Sequence, residues 1–163
     1  MTTRVYVPST LGRLRGIVTA DGVGPAPFAA HAVTRALREA YADGGEEEWE
    51  YAASTAAAQS SLALLREDDP PRRVVVAVDV ASAREADPDD PTVVSVDDVV
   101  PMRQVAAVLV DDAGAEADVA AARGAALAGS EDAVELAERC LRHELGWWAT
   151  QEIRDVLGAA GVI

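Results

Sequence analysis

The chain has 163 residues, half of them hydrophobic, and a formal charge of −14 with an isoelectric point near 4.4. A chain of that size buries a core without disulfides or metal, and we expect one domain over residues 1–163. So strong a negative charge repels phosphate backbones and anionic lipid surfaces, which argues against nucleic acid and membranes as partners.

In chain order, Val5-Tyr6-Val7 reads as a first strand, and Ser9 is placed to cap a helix in which Leu11, Leu14 and Val18 recur at helical spacing. Asp21-Gly22 ends that helix, and the prolines of Val23-Gly24-Pro25-Ala26-Pro27 impose a loop. Phe28 to Val33 predicts a short strand, with Thr34 as N-cap of a helix over Arg35 to Tyr41. Asp43-Gly44-Gly45 breaks the chain. Glu46-Glu47-Glu48 then suits the positive end of a helix that runs to about Arg66, with a packing stripe of Tyr51, Thr55, Ala58, Leu62 and Leu65.

Pro70-Pro71 stops this helix, and Arg73 to Val80, β-branched and nearly all apolar, has the pattern of a central strand. Glu85 to Pro91 is an acidic loop, followed by strands at Thr92–Val96 and Val105–Val110. Asp112 caps a helix to about Ala128, Gly129-Ser130 resets the chain, and a further helix covers Glu131 to Leu141. His143 to Thr150 carries the adjacent Trp147 and Trp148, and Gln151 to Leu157 closes as a helix. On a strand the two indoles point to opposite faces. We expect one in the core and the other over a groove or interface.

Two segments echo each other. Ala32-Val33-Thr34-Arg35-Ala36-Leu37-Arg38-Glu39 and Trp148-Ala149-Thr150-Gln151-Glu152-Ile153-Arg154-Asp155 both read strand end, Thr, two residues, aliphatic, Arg, acid. If they are copies of one unit, helix starts at Thr34 and Thr150 sit symmetrically about an axis and offer amide groups to an anion. His31, Thr34, Arg38, Trp148, Thr150 and Arg154 are therefore the candidate ligand-binding residues, and Thr34 and Thr150 are expected to approach one another.

The chemistry open to the chain is narrow. Every basic residue is Arg, and neither Lys nor Asn occurs. That bias fits a GC-rich genome, with adaptation to brine as the other source. Without Lys, a phosphate-binding loop ending in Gly-Lys, Schiff-base and pyridoxal chemistry are all excluded. Two histidines, His31 and His143, are too few for a histidine-rich zinc site, and Cys140-x-x-His143-Glu144 lacks a fourth ligand. We assign no metal and no cofactor. Asp97-Asp98 and Asp111-Asp112 follow strands, where they read as terminators and caps. No Gly-x-Ser-x-Gly elbow or other activating context surrounds any serine, so covalent catalysis has no local signature. The lone Cys140, and an N-terminal stretch Met1–Pro8 without the pattern of a signal peptide, lead us to expect a cytoplasmic protein.

The segments Val5-Tyr6-Val7-Pro8-Ser9-Thr10-Leu11, Pro25 to Glu39, Glu48-Trp49-Glu50-Tyr51-Ala52-Ala53 and Trp147 to Ile153 resemble a family of uncharacterised actinobacterial proteins along nearly the whole chain. The resemblance implies an origin in keeping with the Arg-only composition, and no site residues.

The fold expected is a layered α+β sandwich with a mixed sheet of about five or six strands and helices mainly on one face, an arrangement that admits two fused ferredoxin-like halves. The alternative is a three-layer α/β sandwich. The function expected is a non-enzymatic cytoplasmic module that binds a protein partner or a small anionic ligand. The rival is a magnesium-assisted hydrolase using some of Asp79, Asp97, Asp111, Asp112 or Glu144, and convergence of three carboxylates in a cleft would favour it.

Overall fold

A computed structural model describes residues 1–163. Its elements are β1 (Thr3–Ser9), α1 (Leu11–Ala20), β2 (Gly22–Val23), β3 (Phe28–Ala32), α2 (Arg35–Ala40), α3 (Glu46–Leu64), β4 (Val74–Val80), β5 (Arg84–Glu85), β6 (Val93–Val96), β7 (Val100–Pro101), β8 (Val105–Val110), α4 (Glu116–Leu127), α5 (Ala133–Arg139), β9 (Gly146–Ala149) and α6 (Ile153–Ala159). The chain is α+β, with a seven-stranded sheet in the order β5-β6-β3-β1-β4-β8-β9 and a two-stranded sheet, β2-β7.

Every pairing is antiparallel, so the sheet is not mixed, and short β5 and late β9 raise its strand count above the expected five or six. Strand alternation divides the core. Val5, Val7, Val74, Val76, Val78, Val108 and Val110 meet Leu11, Leu14 and Ile17 of α1 and Ile153, Val156 and Leu157 of α6. Tyr6, Val75, Ala77, Ala107 and Leu109 face the opposite way, onto Ala53, Ala57 and Ala58 of α3. Helices thus cover both sheet faces. A satellite cluster of Leu62, Leu65, Ala115, Val119, Ala122 and Cys140 ties α4 and the turn after α5 to the end of α3.

Local chemistry explains the element boundaries. Thr10, not Ser9, caps α1, its hydroxyl accepting from Arg13 N at 3.1 Å, because Ser9 still belongs to β1. Asp21 ends α1 in the left-handed region (φ 57°), with its N–H turned to Ile17 and Val18. Gly22 is needed one residue later, where a Cβ would meet the Val100 carbonyl of β7 at 3.0 Å. Thr34 caps α2 as expected, accepting from Leu37 N at 3.0 Å.

The face that α3 buries differs in part from the predicted stripe. Ala58, Leu62 and Leu65 are buried as expected, but Tyr51 is exposed and Thr55 half-buried, and Ala53, Ala57 and Ser61 are buried instead. Small side chains let the helix lie close on the sheet, a contact that a tyrosine would prevent.

Both tryptophans are also more open than expected. Trp147 stands opposite Leu109 and Trp148 opposite Val108, on opposite faces as alternation requires, yet they are 56% and 40% exposed. β9 is an edge strand with no neighbour beyond it, so neither indole is enclosed.

Candidate functional site

Pro8 determines where the sheet opens. The Ser61 hydroxyl bridges the Ser9 carbonyl (2.7 Å) and Val74 N (3.0 Å), so the backbone groups of Ser9, and by alternation those of Val7 and Val5, face β4. Those of Tyr6 and Pro8 then face β3. Ala32 N donates to the Thr92 carbonyl at 2.8 Å, so Ala32 and Ala30 turn toward β6 while His31 and Ala29 turn toward β1. The ladder between β1 and β3 runs through Val5–Ala32 and Tyr6–His31 and stops. The next rung would join Pro8 to Ala29, and proline has no N–H to give it.

Beyond that rung the strands part around a cleft of about 1210 Å³. One wall is β1 and α1 with Pro8, Arg13, Gly16 and Ile17, and the other is Ala29 and the start of β3. His31, Ser60 and Asp90 give it a polar part. Ala29 is exposed, and the N–H that Pro8 lacks is the one its C=O would accept from in this rung.

The polar part of the cleft is ordered by four side chains. His31 is 5% exposed and lies between α3 and the start of β6, with Nε2 at 2.8 Å from Ser60 Oγ and Nδ1 at 2.7 Å from Thr92 Oγ1. Thr92 donates its hydroxyl proton to Asp90 Oδ1 at 2.8 Å. Burial lowers the His31 pKa below its ordinary value, with the nearby Asp90 charge opposing the shift more weakly. Because the folded state resists a proton that the unfolded chain accepts, this group subtracts stability as pH falls through the usual histidine range.

Of the residues expected to bind a ligand, His31 lines this cleft and the others stand elsewhere. Thr34 donates to the Pro91 carbonyl besides capping α2. Arg38 reaches Glu46 at 3.3 Å and lies 5.5 Å above the Trp49 ring. Thr150 donates to the Val105 carbonyl at 2.9 Å, Arg154 is exposed on α6, and Trp148 is on the edge strand.

Thr34 and Thr150 follow strands that run in the same direction, so both lie at one end of the sheet, but β1, β4 and β8 intervene. Four strand spacings place them about 19 Å apart, too far for one pocket. The echo segments stand on either side of β4 rather than together.

The carboxylates do not converge either. Asp79 pairs with Arg4, Asp97 with Arg84, and Asp111 with Arg73, while Asp112 caps the turn at Ala113–Ala115 and Glu144 is exposed. No three His, Cys, Asp or Glu side chains are grouped to hold a metal ion.

Ser60, Thr92 and Asp90 escaped the sequence reading because they lie 29, 61 and 59 positions from His31. No local motif joins them. The first strand was expected to end at Val7, but β1 continues through Pro8 to Ser9, and a proline inside a strand marks an interrupted ladder.

The model of a family described as "Family of unknown function (DUF6912)" matches residues 3–157. No curated protein and no solved structure matches the chain.

Proposed function

We propose that this chain, which belongs to the family of unknown function DUF6912, is a ligand-binding protein whose site is the cleft between β1 and β3. The observation that carries this reading is the interrupted rung at Pro8. It leaves backbone and side-chain hydrogen-bonding groups facing a mostly apolar space large enough for a small organic molecule.

The cleft's charged lining is Arg13 against Asp21 and Asp90, an excess of acid that repels anions. The small anion that Arg38 and Arg154 would have held is therefore disfavoured, and with most of the lining surface apolar we take the ligand to be uncharged, with a polar group at Ser60 or the Ala29 carbonyl.

Gly16 provides the test, because a Cβ built there meets nothing within 4 Å and the residue lines the cleft. Gly16→Phe should place a ring in this space while keeping the fold, since phenylalanine is a better helix former than glycine. In a screen of uncharged small molecules followed by amide NMR, ligands should shift Ala29 and Ser60 in the parent chain and not in the variant. A library that moves neither resonance at millimolar concentration, or that moves them equally in Gly16→Phe, would sink the reading.

A second reading, recognition of a protein partner, is favoured by the exposed indoles on edge strand β9. Light scattering on Trp147→Ala/Trp148→Ala addresses it: a self-associating parent should become monomeric, and an already monomeric parent removes a second copy as that partner.

A further inference from the structure

We propose that Ser60, His31, Thr92 and Asp90 form a proton relay that makes Ser60 a nucleophile, and that the cleft hydrolyses small uncharged esters through an acyl-Ser60 intermediate. This rests on the cleft being the binding site and adds a reaction to it.

The argument starts from proton counting. A threonine hydroxyl has one proton, and Thr92 gives it to Asp90, so toward His31 it presents only lone pairs. The contact at Nδ1 is then satisfied only if Nδ1 carries the imidazole proton. That leaves Nε2 bare, and its partner at 2.8 Å is the Ser60 hydroxyl, which donates to it. This is the tautomer a serine base requires, held by a hydroxyl that a carboxylate polarises. Burial keeps the ring neutral and thus able to accept a proton near neutral pH. Ser60 is half-buried and lines the cleft, so its oxygen is within reach of a bound molecule. A side chain present only to satisfy a buried histidine would not need access to the cleft.

The reaction balances with water as the second substrate. Ser60 Oγ bonds to the ester carbonyl carbon as its proton passes to His31 Nε2, and Thr92 with Asp90 stabilises the resulting imidazolium. The attack produces a tetrahedral oxyanion. It collapses with loss of the alkoxide, which takes the proton from Nε2 and leaves as the alcohol. Water then gives a proton to Nε2 and attacks the acyl carbon, and the acid departs as Ser60 recovers its proton. The acid-lined cleft repels the carboxylate product.

The test uses the full chain with 4-nitrophenyl butyrate, an uncharged aryl ester. Nitrophenolate release should accompany one butyryl group on the intact chain, mapped to Ser60. Ser60→Ala should abolish the adduct in a chain that still folds, and His31→Gln should slow release about 10²–10⁴-fold. The rate should rise with pH as His31 loses its proton, with a midpoint below about 6.5.

Should His31→Gln fail to fold, Ser60→Cys keeps the relay testable. Beside an accepting Nε2 its thiol should react with iodoacetamide well below the ordinary thiol range of about 8.5, while Cys140, which burial pushes up, should not. No adduct on Ser60, a rate that His31→Gln leaves unchanged, or Ser60→Cys alkylation only in the ordinary range would each overturn the relay. A ligand that shifts Ala29 and Ser60 without acylation overturns the relay alone, whereas no ligand in the cleft overturns the binding site beneath it.

Discussion

Asp111→Ala is expected to destabilise the protein by about 3–5 kcal/mol, because it leaves the Arg73 guanidinium buried without its counter-charge. The pair is closed to solvent, with side-chain exposures of 2% and 0%. Arg73 Nε and Nη2 each meet an Asp111 oxygen at 2.8 Å, and Arg73 N donates to the same carboxylate at 2.8 Å. Two further donors go to Gln59 of α3 at 3.2 Å and the His143 carbonyl at 2.9 Å, so one guanidinium joins β4, the end of β8, α3 and the approach to β9. Urea denaturation reads the loss as a lower midpoint at a similar slope. The double variant Arg73→Leu/Asp111→Leu should recover much of it, since two apolar groups leave no stranded charge. A loss under about 1 kcal/mol in the single variant would mean that water reaches the site and screens the charge.

Val76→Asp is expected to abolish soluble expression. Val76 is 0% exposed in β4, an interior strand of the sheet, opposite Val7 on one side and Val108 on the other. A carboxylate there has no donor within the cluster of valines and leucines under α1 and α6. Its desolvation costs several kcal/mol, against a total stability of about 5–15 kcal/mol for a domain. Val76→Ala is the control. It should lower stability by a few kcal/mol and remain folded. Soluble Val76→Asp with a parent-like melting curve would contradict the packing of β4.

The strand at β4 was legible from composition, because a run of β-branched residues buried on both faces leaves no other period to read. Helix starts at Thr34 and Glu46 were legible too, since caps and dipoles act over a single turn. The burial of α3 was legible at Ala58, Leu62 and Leu65 but not in its first half. Tyr51 and Ala53 are both compatible with a helical stripe, and which of them faces inward depends on how closely the sheet approaches. Likewise, two adjacent tryptophans say nothing about whether a strand lies beyond them, and at the edge position of β9 none does.

The site divides in the same way. His31 stood out as one of two histidines, whereas Pro8 was read as lying just past the first strand, which in fact runs on to Ser9. Their meaning came from pairing. Only the placement of β3 beside β1 turns a missing N–H into a cleft, and only α3 lying across that face brings Ser60 to His31. The echo at Thr34 and Thr150 shows the opposite outcome, with matched local chemistry kept four strands apart by the order of the sheet. What the sequence by itself determined about this protein is what short-range forces decide: the types of the longer elements, the cap at Thr34, the apolar central strand and the families of chemistry excluded by the absence of Lys and the scarcity of His and Cys. Strand order, the faces that helices cover and the contacts among Ser60, His31, Thr92 and Asp90 belong to the tertiary structure, because they join residues tens of positions apart through a sheet whose pairing is set by the burial of all its strands together.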